Sequence, residues 1–290
     1  MVSAVDAESS AERAGVRPGM LLQAIDGRPA EERYETVARA VSRTVGVATD
    51  RMLAAVTRAA LFNGDPGTAV SVVLRGSDGK LLEASLARVP RGTAVTFESR
   101  RLSSGLAYLR FNRWDPPVDR RLPEAIREAA DAPGLIVDLR GNRGGSFMTA
   151  DYFLEPGTFT GTSTWRSGRV DKGYTHSSAV FYKGPLAVLV DEESGSASEN
   201  FAALIQESGR GIVVGRPTCG CFTSSYYESV KGGGRLQWSR VLPRTRDGLK
   251  VEGEGVTPRH VVPVTLADLR EGKDAALEIA MAALQASARR

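Results

Sequence analysis

Three small-residue turns stand where chemistry could be done. The run Leu189-Val190 leads into Asp191-Glu192-Glu193-Ser194-Gly195-Ser196-Ala197-Ser198-Glu199. A serine between an apolar strand and a helix sits at the helix N-terminus, where unpaired N–H groups and the helix dipole favour an anion. That setting suits a nucleophile whose attack creates an oxyanion. It equally suits an ordinary cap, because Ser196 and Glu199 stand three apart, as in a capping box. The second turn is Asp138-Leu139-Arg140-Gly141-Asn142-Arg143-Gly144-Gly145, at the end of the apolar run 134–139. Glycines there let backbone approach a ligand and leave N–H groups aimed at it. A plain strand-to-helix turn reads the same way, and the missing Gly-Lys-Ser/Thr excludes a phosphate-binding P-loop. The third turn follows another strand end, as Val214-Gly215-Arg216-Pro217-Thr218-Cys219-Gly220-Cys221, and a stretch from Val251 to His260 closes the series.

A serine hydroxyl is a poor nucleophile without a base beside it. The chain has two histidines, His176 in a polar stretch and His260 beside a proline. Lys250 and Glu252 would share one face of a strand, as a surface ion pair. Cys219 and Cys221 lie two apart, a spacing that makes neither a disulfide framework nor a zinc site. They read as small buried residues rather than redox partners.

The elements that must hold these turns fall into two patterns. Residues 21–25, 69–75 and 81–86 read as strands, the last two joined by the turn Ser77-Asp78-Gly79-Lys80, and residues 35–62 have helical spacing through Val37, Val41, Val45, Met52 and Val56. Val2 and Val5 suggest a strand end, and Ser9 or Ser10 caps a short helix that stops at Gly15. Beyond a linker at 89–92, strands at 106–111, 134–139, 186–190 and 212–215 alternate with helices at 122–130 and 199–207, the mark of parallel strand-helix-strand units. With 290 residues, 42% hydrophobic and 25% charged, the chain has an ordinary globular composition and room for two domains. Net charge is +4, but the arginines are dispersed, which argues for a solvated surface and against nucleic acid. No apolar run reaches the roughly 20 residues of a membrane span, no signal peptide is visible, and the chain opens inside a domain, as if segments preceded it.

Taken in order, the turns resemble the carboxyl-terminal processing, or tail-specific, serine peptidases. That family carries an "LRGNPGG" turn, an "SASASE" turn with the nucleophile and a "GVTPD" closing turn, matched here by 139–145, 195–199 and 255–259. The stretch from Ser10 to Gly27, with its Arg17-Pro18-Gly19-Met20 turn, and the stretch at 66–76 resemble a PDZ domain. The resemblance implies an α/β (α+β) peptidase core of strand-helix-strand units at 93–290, preceded by a truncated PDZ-like β-rich module at 1–90 with a helical insertion about 35–62. It implies Ser196 as the nucleophile, an oxyanion hole of the backbone N–H groups of Ala197 and Gly144 or Gly145, and supporting places for Thr218, Glu207 and Glu252. One departure matters: the family's catalytic lysine falls at Cys221. A tricorn-like relative uses an early-strand histidine with a glutamate; Glu252 matches the glutamate, but Arg110 stands where the histidine would be.

Two functions follow from the resemblance. One is a serine endopeptidase that cuts protein substrates near free carboxyl-terminal tails, delivered by the PDZ-like module, with no metal or cofactor. The other is an inactive relative that binds such tails as an adaptor. The resemblance also implies a cell-envelope, periplasmic or secreted location.

Overall fold

The computed structural model describes residues 1–44, 46–89, 94–224 and 226–288, so Val45 and the linker stretch at 90–93 lie outside the described residues. The chain forms two units, Met1–Ala94 with Pro263–Ala275, and Val95–Val262 with Ala276–Arg290. No sequence signal marks the return of Pro263–Ala275 to the first unit.

In the first unit Ser9 Oγ accepts the Glu12 N–H and starts α1 (Ser10–Arg13). The chain continues through β1 (Leu21–Ile25), β2 (Arg28–Pro29), α2 (Ala30–Thr44), α3 (Asp50–Ala60), β3 (Ala69–Arg75) and β4 (Leu81–Ala87). The sheet order is β2-β1-β3-β4, and every pairing is antiparallel. In β3 alternate residues Val70, Val72 and Leu74 point inward and pack with Val16, Ile25 and Leu61, the period-2 burial of a sheet covered on one face. The helical stretch expected at 35–62 is two helices, because Thr49 Oγ1 caps a new one by accepting the Met52 N–H. The strand end expected at Val2 and Val5 is absent; Val2 instead exchanges backbone hydrogen bonds with Gly19 and Met20 outside any sheet.

The second unit runs β5 (Phe97–Arg101), β6 (Ala107–Phe111), α4 (Val118–Glu128), β7 (Leu135–Asp138), β8 (Phe159–Trp165), β9 (Val170–Tyr174), β10 (Leu186–Val190), α5 (Ala197–Glu207), β11 (Ile212–Gly215), β12 (Tyr226–Val230), β13 (Gly234–Trp238), β14 (Val241–Arg244) and β15 (His260–Val261). After these come α6 (Leu266–Glu271), in the returning segment of the first unit, and α7 (Ala275–Ala288), which lies in the second from Ala276 on. The main sheet has the order β15-β11-β10-β7-β6-β5. All its pairings are parallel except that of the edge strand β5. Every residue of β7 and β10 is buried, as parallel strands with both faces covered require. Leu122 and Ile126 of α4 and Phe201, Ala202 and Ile205 of α5 share one core with Leu135, Val137, Val188 and Val190.

The fold is mixed α/β. Because β6, β7, β10 and β11 run parallel, their carboxyl ends gather at one edge, where ligands meet such sheets. The loops after β7, β10 and β11 are the three turns singled out in the sequence. The antiparallel set β14-β8-β9 and the hairpin β12–β13 were not anticipated. Among the described residues no helix is long and apolar enough to cross a membrane.

Candidate active site

Ser196 occupies the turn between β10 and α5 in a conformation that side chains rarely adopt, with φ +52° and ψ −111°. Such a conformation persists only when its surroundings over-determine it. Here three contacts do so. The Ser196 N–H donates to Glu199 Oε2 at 3.0 Å and to the Cys221 carbonyl at 3.1 Å, and the Gly195 N–H donates to the Asn142 carbonyl at 3.0 Å. The Ser196 side chain is half-buried and open to solvent.

The glycine turn lies directly against it. A Cβ at Gly144 would fall 2.7 Å from Ser196 Cβ and 3.1 Å from the Ala197 nitrogen, and φ there is +92°. A Cβ at Gly145 would fall 2.4 Å from the Trp114 carbonyl oxygen. Both positions therefore require glycine, one for its backbone conformation and both for close approach. Asn142, fully buried, pins this loop: its Nδ2 donates to the Phe111 carbonyl at 2.9 Å, and its Oδ1 accepts the Gly144 N–H at 3.0 Å. The Gly144 N–H is thus taken, which leaves Gly145 as the donor from this turn. Among the described residues no acceptor takes the N–H of Gly145 or of Ala197.

Two residues that sequence reasoning missed tie the turns together. Trp114 is fully buried; its backbone N–H donates to the Gly144 carbonyl at 3.0 Å and its Nε1–H to Ser198 Oγ at 3.0 Å. Its ring packs edge-on to Phe111 at 4.8 Å and against Phe201 at 5.4 Å. Ser194 Oγ donates to the Leu139 carbonyl at 2.8 Å, bridging the β10 and β7 loops. An isolated tryptophan and the serine preceding Gly195 carried no sequence signal for these tasks.

Glu199 is more than a cap. Its fully buried carboxylate accepts from Thr218 Oγ1 at 2.6 Å, from the Gly220 N–H at 2.7 Å and from the Cys221 N–H at 3.0 Å, besides Ser196. Burial pushes this carboxyl above its usual range, and the four donors pull it back only in part. Thr218 Oγ1 also accepts the Val256 N–H at 2.7 Å, so it ties the closing turn to the same centre. Asp191 organises the neighbouring turn by accepting from Gly141 N–H and Glu193 N–H, and burial raises its carboxyl too. The ion pairs Arg143–Glu193 and Arg216–Glu192, each 2.6 Å, edge these loops.

The remaining sequence-read residues lie elsewhere or do other work. Cys219 and Cys221 form a disulfide, which corrects the reading of them as small buried residues without redox pairing: they stand in an irregular turn, not a strand, and the turn brings their Cα atoms to 5.3 Å, within disulfide range. A Cβ at Gly195 would fall 3.6 Å from Cys221 Sγ, so the disulfide lies against the turn before Ser196. Glu207 does not support the site; it is the last residue of α5, about 16 Å along the helix from Ser196, and accepts from Thr245 Oγ1 and the Asp247 N–H. Glu252 accepts the N–H groups of Phe222 and Thr223 at 2.8 and 2.7 Å. Lys250 is exposed in a segment without strand structure, so the shared strand face with Glu252 does not exist. His176 is exposed beside Asp151, His260 is exposed on β15, and Arg110 is exposed on β6 opposite Asp138. Among the described residues no lysine, histidine or carboxylate side chain is hydrogen-bonded to the Ser196 hydroxyl.

Comparison with known proteins gives a consistent family. The profile of peptidase family S41 matches residues 105–262. Carboxyl-terminal-processing peptidase 2, chloroplastic, of Arabidopsis thaliana is 26% identical over 265 residues, covering 87% of this chain and 48% of that protein. The carboxy-terminal-processing protease of Bartonella bacilliformis is 25% identical over 290 residues, covering 96% of this chain and 61% of that protein. The chain therefore spans about half the length of the curated relatives it matches, 48% and 61% for these two. The solved photosystem II D1 C-terminal processing protease superposes with a TM-score of 0.56 at 22% identity, over 92% of this chain and 70% of that one; at that identity the likeness speaks for the fold.

Proposed function

Since the chain belongs to peptidase family S41, we propose that it is a serine endopeptidase cutting protein substrates near their carboxyl-terminal tails, with Ser196 as the nucleophile. One observation carries this reading: Ser196 is held at φ +52° at the start of α5, beside two backbone N–H groups without acceptors. Ser196 Oγ attacks the scissile carbonyl carbon. The carbonyl oxygen takes the developing charge and accepts from the Ala197 and Gly145 N–H groups, with the α5 dipole behind them. The amine leaves with a proton, and water then hydrolyses the acyl-serine. Glu199 and Thr218 are positioning residues: through the 218–221 backbone they fix where Ser196 stands.

The weak step is loss of the hydroxyl proton, since the family's lysine position is Cys221, held in a disulfide. An oxyanion hole and substrate binding alone retain about 10³–10⁴-fold over water, so turnover is slow in this form. The same disulfide favours a second reading, an adaptor that holds tails without cutting them. In either case the first unit, read as PDZ-like, would take a tail by adding it as a strand. A disulfide beside the nucleophile also fits an envelope, periplasmic or secreted location, where thiols are oxidised.

The test is incubation with an unstructured protein ending in an apolar tail, followed by mass spectrometry. Cleavage near the tail that disappears in Ser196→Ala supports the peptidase; tail binding with no cleavage above Ser196→Ala supports the adaptor.

A further inference from the structure

The Cys219–Cys221 disulfide stands in a turn whose backbone is already held at every residue. The Thr218 N–H donates to the Val256 carbonyl at 3.1 Å and the Cys219 N–H to the Ser194 carbonyl at 3.0 Å. The Gly220 and Cys221 N–H groups donate to Glu199, and the Gly220 carbonyl accepts the Gly253 N–H at 2.9 Å. A cross-link between residues two apart closes so short a loop that it adds little to such a turn. What it does do is tie up both cysteines of the chain beside Ser196.

Cys221 is close enough to act on that serine. Its carbonyl accepts the Ser196 N–H at 3.1 Å, which puts Cα of residue 221 within about 5.5 Å of the Ser196 nitrogen. Two short side chains span such a gap directly or through one water. Glu199, the titratable group that accepts the Ser196 N–H, spends its carboxylate on four donors. Cys219 is buried and Cys221 half-buried, so an incoming thiolate meets Cys221 Sγ first.

We propose that Cys221, once released by a dithiol, is the base for Ser196, so that cleavage is slow while the disulfide is closed and fast when it is open. The role depends on Ser196 being the nucleophile of the peptidase read above. One thiolate of the dithiol attacks Cys221 Sγ, the S–S bond breaks, and Cys219 leaves as a thiolate that takes up a proton. The second thiol of the reductant then displaces Cys221 as a thiolate. Two electrons pass to the protein, and the reductant closes as its own disulfide. The backbone bonds of 218–221 keep the turn in place while Cys221 Sγ rotates toward Ser196. As Ser196 Oγ attacks the scissile carbonyl carbon, its proton passes to the Cys221 thiolate, and the thiol returns it to the departing amine.

The experiment follows cleavage of a cysteine-free unstructured protein with an apolar tail, with and without dithiothreitol. Dithiothreitol should speed the wild type about 10²-fold or more, the contribution of a positioned base. Cys219→Ser, which leaves Cys221 a free thiol, should run at the higher rate without reductant. Cys221→Ser should show no rise with it. Iodoacetamide added to the reduced wild type should remove the gain, a check that needs no variant to fold. A gain shared equally by both single variants overturns the proposal, since opening the ring alone would then suffice. So does a gain that survives Ser196→Ala, which would make the thiol itself the nucleophile. No gain in a wild type whose two thiols titrate as free also overturns it. In that event cleavage by the Cys219→Ser, Cys221→Lys protein would leave the peptidase reading standing, and its failure to cleave would sink that reading as well.

Discussion

A lysine at position 221 should supply a base beside Ser196. The Cys221 carbonyl accepts the Ser196 N–H at 3.1 Å. A carbonyl oxygen lies about 2.4 Å from its own Cα, so Cα of residue 221 is within about 5.5 Å of the Ser196 nitrogen. A lysine side chain reaches about 6 Å, enough to bring Nζ within the roughly 2.6–3.2 Å that proton transfer needs. Gly220 and Cys221 N–H groups bound to Glu199 hold the turn in place meanwhile. Cys221→Lys, combined with Cys219→Ser to leave no odd thiol, should raise the acylation rate by about 10²–10⁴-fold, the usual contribution of a positioned base. The assay is tail-peptide cleavage against pH. The rate should climb with pH along a limb set by the new lysine, whose burial lowers it below the free value of about 10.4. The gain must vanish when Ser196→Ala is added. No gain in a protein whose wild type already cleaves would refute the reasoning, because the base would then lie elsewhere.

Other expectations follow from the same geometry. Gly144→Ala forces a side chain to φ +92° and a Cβ to 2.7 Å from Ser196 Cβ; it should cost about 1–3 kcal/mol in chemical denaturation and strongly reduce labelling at Ser196. Burial raises the Glu199 carboxyl in the folded state, so the folded protein holds that proton more tightly than the unfolded one. Its contribution to stability is therefore largest at low pH and falls as pH rises from the unfolded value through the raised folded one. Glu199→Gln should flatten the fall of the denaturation midpoint as pH rises above the ordinary carboxyl range, with Asp191, raised by the same cause, leaving part of the slope. Reducing the Cys219–Cys221 disulfide opens a very short loop and should cost about 1.5 kcal/mol; the Cys219→Ser, Cys221→Ser protein should show no response to reductant.

The parallel core was legible because its strands are continuous apolar runs, residues 135–138, 186–190 and 212–215, each ending in a small-residue turn. The turns were legible for the same reason: glycine and serine clusters at strand ends have few other uses. The strands of β8, β9, β12, β13 and β14 were not, since their residues are largely half-exposed and polar and show no clean alternation. Trp114, Asn142 and Ser194 act through backbone partners distant in sequence, which no local pattern encodes. Lys250 and Glu252 misled because alternation was read as a strand where the chain is irregular. The cysteines misled because a spacing of two fits no familiar disulfide framework, yet the turn brings their Cα atoms to 5.3 Å, within bonding range.

The central claim is that Ser196 faces a working oxyanion hole, and a fluorophosphonate probe reads this directly. The probe's phosphonyl oxygen needs the Ala197 and Gly145 N–H groups, while its reactive phosphorus tolerates a weak base. Intact-mass and peptide-level spectrometry should find a single adduct on Ser196, absent from Ser196→Ala and strongly reduced in Gly144→Ala. Absence of any adduct on Ser196 in the Cys219→Ser, Cys221→Lys protein, with the fold intact, would contradict it.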